Sequence, residues 1–207
     1  MKHLLVCIIL AGLFTGATHA GSAAAPGKVI LGYAAPGPRA LPFWMAQELG
    51  LFAKHGVDVE PVFIRGAPIL VAGLASGDIH VGSTGGSATL AAVAGGQDLK
   101  IIATFGSRNT FDLVSQAAIK RPEDLRGERI GLTSIGGTTW MALLLWLEHF
   151  GLDAQRDQMQ LQVMGEQALT TQALQSGVVN AAILDGVFSR RLKPKGFTIL
   201  GVDSELK

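Results

Sequence analysis

Apolar positions along this 207-residue chain switch between two periods, and the switches occur in the same order twice. Residues 28–33 are a short β-rich run with little alternation, the pattern of a strand buried on both faces. Leu41, Met45, Leu49 and Phe52 then recur at helical spacing, and Gly56 stops that helix. Residues 57–64 read as a strand, 67–75 as a helix and 79–82 as a strand. An Ala-rich helix opens at Thr84-Gly85-Gly86-Ser87 and stops at Gly95-Gly96. Residues 100–105 read as a fourth strand and 111–115 as a short fifth, and Pro122-Glu123-Asp124-Leu125 suits a short connecting helix. The order then restarts with a strand at 129–133. A helix opening at Gly136-Gly137-Thr138-Thr139 carries an apolar stripe of Trp140, Leu143, Leu144, Leu147 and Phe150. Strands at 159–164, 178–184 and 197–201, a helix at 166–175 and a helical turn at 187–192 complete the reading.

The residues themselves repeat about one hundred positions apart. Leu74-Ala75-Ser76-Gly77-Asp78-Ile79-His80-Val81 is answered by Leu174-Gln175-Ser176-Gly177-Val178-Val179-Asn180-Ala181. Glu48-Leu49-Gly50-Leu51 is answered by Glu148-His149-Phe150-Gly151-Leu152, and Val29-Ile30-Leu31-Gly32 by Arg129-Ile130-Gly131-Leu132. That period is too long for a solenoid unit. The expected fold is α/β: two similar lobes, each a mostly parallel sheet flanked by helices, with a ligand cleft between them. Lobe 1 is placed at 28–116, an inter-lobe connection at 117–127 and lobe 2 at 128–207. Residues 100–105 and 197–201 correspond, and nothing after residue 201 answers 111–115.

The N-terminus changes the picture. Met1-Lys2-His3 is a basic start, residues 4–17 are apolar, and Thr18-His19-Ala20 offers small residues before Gly21. Residues 1–20 therefore read as a cleavable signal peptide and 21–27 as a flexible leader. Cleavage would remove Cys7, the single cysteine, and Lys2. The mature chain would then balance its basic and acidic residues, which suggests neither nucleic acid nor an anionic membrane as partner. No later apolar run is long and uninterrupted enough to insert in a membrane after cleavage.

Two loops hold candidate chemistry. Ser83, Thr84, Gly85, Gly86 and Ser87 lie between a strand and a helix, and so do Ser134, Gly136, Gly137, Thr138 and Thr139 in the other half. Glycine lets backbone N–H groups approach a ligand, a helix N-terminus favours an anion, and hydroxyls add donors. Plain N-capping wants the same residues, and it is their occurrence in both halves that points to a ligand. Asp185 follows a buried strand and either faces the cleft or caps the next helix. Pro38 and Arg39 lie in a loop beside the cleft, where an arginine could pair an anion; Arg108 is placed similarly, while Arg65 reads as a solvated surface residue. Phe43 and Trp44 either stack on a ligand or pack in the core, and Trp140 reads as core. His80 reads as a satisfied strand histidine, and His55, His80 and His149 have no metal-site spacing. Nucleotide and hydrolase motifs are absent from the sequence.

The segment from Pro42-Phe43-Trp44-Met45-Ala46-Gln47-Glu48-Leu49-Gly50-Leu51-Phe52 to Val59 resembles SsuA/THI5-like (NMT1-type) substrate-binding proteins. So do Leu74-Ala75-Ser76-Gly77-Asp78-Ile79 and Pro122-Glu123-Asp124-Leu125-Arg126-Gly127. The resemblance implies a type II periplasmic binding protein, monomeric and without a cofactor, that delivers a small solute to the permease of an ABC importer. Relatives bind sulfonates, taurine, nitrate, bicarbonate, pyrimidine precursors or aromatic compounds, on loops matching 35–41, 83–87 and 134–139 and near Asp185. His80 and Asn180 stand where the family often has Asp, and Gly186-Val187 follow Asp185 where it usually has a proline. Pyrimidine-synthesis enzymes share the family but carry a cysteine-rich motif, and a sensing module would need a fused signalling domain. Binding without catalysis, in the periplasm, is the expectation. The family's chain also crosses back to finish lobe 1, and residues 1–207 are expected to lack that return.

Overall fold

The computed structural model describes residues 27–37, 39–106 and 110–202. The signal peptide, most of the leader, Pro38 and Arg108 fall outside them. The first sheet has the order β2(Val59–Phe63), β1(Val29–Tyr33), β3(Val81–Ser83), all parallel. The second has the order β6(Gln160–Val163), β5(Arg129–Leu132), β7(Ala181–Asp185), β4(Phe111–Ser115), β8(Thr198–Gly201). In it β5 runs parallel to β6 and β7, while β4 is antiparallel to both β7 and β8. Parallel neighbours joined through helices bury both faces of a sheet, which is why these strands read as continuous apolar runs.

The helices follow the expected order: α1(Leu41–Glu48), α2(Leu51–Lys54), α3(Ala67–Ser76), α4(Gly86–Ala94), α5(Thr138–His149), α6(Gln167–Ser176) and α7(Gly186–Leu192). The single helix expected to reach Gly56 is broken, because Gly50 takes a left-handed conformation (φ 63°) between α1 and α2. The repeated Ser-Gly pair has a local cause. Gly77 and Gly177 end α3 and α6 at φ 84° and 78°, where a side chain would be strained. After each cap the chain pairs alike: His80 N donates to Ile30 O and Asn180 N to Arg129 O. His80 precedes β3 rather than lying in it, and its Nδ1 accepts from Ile30 N at 2.9 Å.

Two strand expectations are corrected. Residues 100–105 belong to neither sheet, and Ile102 there is 80% exposed. A β-branched run makes a strand only against a neighbour, and none of the described residues supplies one. Phe111–Ser115, expected to end lobe 1, is an inner strand of the second sheet, with all five residues buried. Strands on either side satisfy its backbone, a partnership that its apolar pattern cannot specify.

The core is unequal. Two clusters, one around Leu113, Ile130, Leu143 and Trp146 and the other around Val114, Leu174 and Leu184, fill the second lobe. In the first lobe a small cluster of Ala67, Val71 and Ala88 joins α3 to α4. Trp140 packs half-buried against the first cluster, close to expectation.

Asp157 fastens the loop after α5. It accepts hydrogen bonds from Arg156 Nη2 (2.7 Å), Asp153 N (2.8 Å) and Arg126 Nε (3.2 Å). The Arg156 hydrogen bond first, then the Asp153 amide, hold its carboxyl well below the usual carboxylate range. A carboxylate depressed by folding stabilises above its unfolded value of about 4 and loses that contribution as pH falls through the lower folded value. Asp157→Asn should therefore melt earlier than wild type at neutral pH. The gap should narrow below about pH 4, as thermal melts across pH would report.

Candidate functional site

The carboxyl ends of the strands in both sheets open on one cleft of about 1380 Å³. Its walls include Arg39 and Phe43 on one side, Ser83, Thr84, Gly85 and Gly86 at the start of α4, and Ser134, Thr138 and Thr139 at the start of α5. Asp185 joins them from the end of β7. Of the residues expected at the site, Ser87, Gly136 and Gly137 do not line the cleft. Gly136 supplies a turn at φ 74°, and Gly137 caps α5 where a Cβ would lie 2.3 Å from Ser134 Oγ.

The hydroxyls divide into two sets. Thr139 Oγ1 is engaged locally, accepting from Thr133 N at 3.0 Å and lying 2.8 Å from Thr133 Oγ1. Thr84 Oγ1 and Ser87 Oγ are buried and make no hydrogen bond with the described residues. An unpaired buried hydroxyl costs about 1–3 kcal/mol, and of the two only Thr84, just before α4, stands on the cleft wall where a hydrogen-bonding ligand would satisfy it. The first turn of α5 faces it: a Cβ at Gly85 would lie 1.5 Å from Thr138 Oγ1.

Charges also meet across the cleft. Arg39 directs Nε (3.1 Å) and Nη2 (3.0 Å) to Asp185 Oδ2, with Nη2 also donating to Thr110 Oγ1. Its guanidinium lies 4.6 Å over the Phe111 ring. Asp185 is both things the sequence left open, cleft residue and cap, since Oδ1 accepts from Val187 N at 3.1 Å. Gln167 steadies it, accepting from Asp185 N at 2.9 Å and donating to Ile183 O at 3.3 Å. Arg65, read from sequence as a surface residue, pairs with Glu166 across the same cleft at 3.7 Å. Glu166, Gln167 and Thr110 were not singled out in the sequence. The repeat held the signal for the first two, because Gly165-Glu166-Gln167 follows β6 where Arg65-Gly66-Ala67 follows β2.

Half-exposed ion pairs contribute about 1 kcal/mol or less and are screened by salt. The two pairs therefore bias closure of the lobes rather than hold the fold. Asp185→Asn, which keeps the cap, is expected to shift the lobes toward the open form by up to about fivefold, as is raised salt on the wild type. Small-angle scattering would register a larger radius of gyration in both cases.

Phe43 is half-buried at the cleft wall and meets Phe105 edge-on, with ring centroids 5.7 Å apart. Trp44 turns away and donates to Tyr33 Oη at 3.4 Å. Among the described residues no group of three or more His, Cys, Asp or Glu is arranged to hold a metal ion, and no helix is long and apolar enough to cross a membrane.

Two α/β lobes facing each other across a cleft at their strand ends define the periplasmic binding protein fold. Solved structures agree. The alkanesulfonate-binding protein SsuA from Xanthomonas axonopodis pv. citri bound to MOPS superposes with a TM-score of 0.71 at 23% identity, over 89% of this chain and 63% of that one. A Bordetella bronchiseptica RB50 protein gives a TM-score of 0.76 at 25% identity, over 86% and 59%. The chain belongs to the NMT1/THI5-like family, whose sequence profile matches residues 38–196. It is also 40% identical over 116 residues to the taurine-binding periplasmic protein of Escherichia coli strain K12, a match covering 54% of this chain and 35% of that protein. In each comparison it spans less than two thirds of the relative's length.

Proposed function

We propose that this chain is the solute-binding component of an ABC importer, exported to the periplasm through residues 1–20, and that it binds a small organic anion of the sulfonate class. The observation that carries the reading is the buried, unpartnered hydroxyl of Thr84 on the cleft wall just before α4, with the first turn of α5 facing it from the other lobe. Two helix N-termini and free hydroxyl donors suit the oxygens of an anion. Arg39 and Asp185 present both signs beside them, which also suits an amine on the same solute. The taurine-binding and alkanesulfonate-binding relatives support that class. The protein would bind, close and hand the solute to a permease as a monomer, with no chemical step and no cofactor.

Calorimetry with taurine, an alkanesulfonate and nitrate tests the reading, with binding of either sulfonate expected to exceed that of nitrate. Thr138→Ala and Thr84→Ala, both on the cleft wall, should each weaken binding about tenfold, the loss of one charge-assisted hydrogen bond at roughly 1.5–3 kcal/mol. Unchanged affinity in both variants would place the site elsewhere. N-terminal sequencing of exported protein should begin at Gly21.

A further inference from the structure

β4 holds a residue that burial alone disfavours. Its sequence is Phe-Asp-Leu-Val-Ser, and all five positions are buried. Among the described residues Asp112 is the one charged residue that is buried, at 5% exposure. Taking a carboxylate out of water is costly, and an apolar side chain in such a place is often as stable or more so. Stability alone therefore does not account for an acid in the middle of this sheet. Its partner does not require it either. Ser189 Oγ donates to Asp112 Oδ2, yet it also lies 3.2 Å from Gly186 O. A helical serine can satisfy its hydroxyl on a carbonyl of the preceding turn without outside help.

The contact joins the strand to the helix that presents Asp185. Ser189 is a fully buried residue of α7, which begins at Gly186 with Asp185 as its cap. Asp112 lies one residue along β4 from Phe111, which pairs with Asp185 in the sheet register. The leading end of β4 thus touches both halves of the cross-cleft ion pair. On the Arg39 side, Thr110 Oγ1 accepts from Nη2, and the Phe111 ring lies 4.6 Å from the guanidinium. On the α7 side, Thr110 O accepts from Gly186 N at 3.3 Å, and Asp112 accepts from Ser189. The second of these is the stronger, because its acceptor is a carboxylate.

We propose that Asp112 is a positioning residue for the Arg39–Asp185 pair: through Ser189 it fixes the first turn of α7 on β4 and so sets the reach of Asp185 across the cleft. Two attachments about one helical turn apart, Gly186 N on Thr110 O and Ser189 Oγ on Asp112, fix the height and the rotation of the helix. Without the second, α7 can turn about the first, and the cap carboxylate loses its alignment on Arg39 Nε and Nη2. Gln167 accepts from Asp185 N, so it holds the backbone of the cap but not the rotation of the helix that follows. The effect on lobe closure follows from the ion pair alone, whereas any effect on solute rests on the proposed function.

Small-angle scattering and amide hydrogen exchange on the whole chain test this role. Ser189→Ala, at a helix position that alanine suits, should shift the lobes toward the open form by about two- to fivefold, no further than Asp185→Asn does. Exchange at Gly186 and Val187 should quicken with it. Asp112→Asn keeps an oxygen that accepts from Ser189 and should leave both readouts near wild type. In the Asp185→Asn background, Ser189→Ala should add no further opening, since no pair is left to align. A serine that only supports packing would add the same opening in both backgrounds, and that result would overturn the proposal. An unchanged radius of gyration in Ser189→Ala would overturn it too, as would an Asp112→Asn protein that opens as far as Ser189→Ala. Taurine affinity in Ser189→Ala should fall by up to the same factor, as the competent fraction falls. Taurine that fails to bind even the wild type would sink the proposed function alone, and the scattering comparison decides the positioning role.

Discussion

Trp146→Ala should lower the melting temperature by on the order of 10 °C. Trp146 is fully buried at the centre of the larger cluster. Its ring stacks on Phe150 with centroids 5.6 Å apart and planes 16° from parallel, and meets His149 edge-on at 5.8 Å. From the far side Gly201 comes so close that a Cβ there would lie 2.5 Å from Cζ3. Nε1 donates to Phe111 O at 3.0 Å and so ties α5 to β4. Truncation removes that contact area and leaves a cavity, at about 3–5 kcal/mol, and it removes the Nε1 hydrogen bond, at about 0.5–1.5 kcal/mol more. For a chain of this size each kcal/mol moves the midpoint by roughly 2–4 °C. Trp146→Phe keeps most of the ring and loses the donor, so it should fall between wild type and alanine. A shift below about 2 °C for the alanine variant would mean that the cluster is not the stabilising centre. Circular dichroism during heating measures all three.

Gly85→Leu should hold the lobes apart and leave each folded. The backbone there is extended, with φ −70° and ψ 144°, which any residue adopts without strain. The conflict lies only across the cleft, where a Cβ would sit 1.5 Å from Thr138 Oγ1 and 2.8 Å from Thr138 Cβ. Rotating the threonine relieves the first contact but not the second. The closed form is thereby excluded, and if it is the form that holds solute, affinity falls by at least about a hundredfold, as the competent fraction drops to about 1% or less. Scattering should report an expanded particle with or without taurine, at an unchanged melting temperature. Adding Thr138→Gly to Gly85→Ala removes the clash and should restore the compact profile. A compact Gly85→Leu protein would refute the wedge.

What the sequence disclosed and what it hid divide along physical lines. The Ser-Gly helix ends were legible because a left-handed C-cap is a local demand that glycine meets. Both Gly/Ser/Thr loops were legible because a helix start after a strand favours those residues locally, as were Arg39 and Asp185 by their places after strands. The neighbours of Phe111–Ser115 were not, because apolar periodicity encodes burial and not which strand stands alongside. Residues 100–105 illustrate the converse: their composition suits a strand, and strand formation depends on a partner elsewhere. Arg65 and Glu166 gave no pairing signal, since a residue bound for a cross-cleft ion pair has the same local composition as a solvated one. Thr84 and Ser87 stood out as hydroxyls, but that both are buried without partners is a property of the folded chain.

The position of β4 has a consequence for biosynthesis. Leu113 pairs with Ile183 on one side and Gly201 on the other, so the strand emerges from the ribosome long before either partner. At about 5–20 residues per second, the wait for the later partner lasts roughly 4–18 s. Throughout that interval Phe111, Leu113 and Val114, all buried in the finished protein, have no sheet to enter. A nascent chain arrested between residues 115 and 198 should therefore be a strong client for a chaperone that grips short apolar stretches, and release should follow synthesis of Thr198–Gly201.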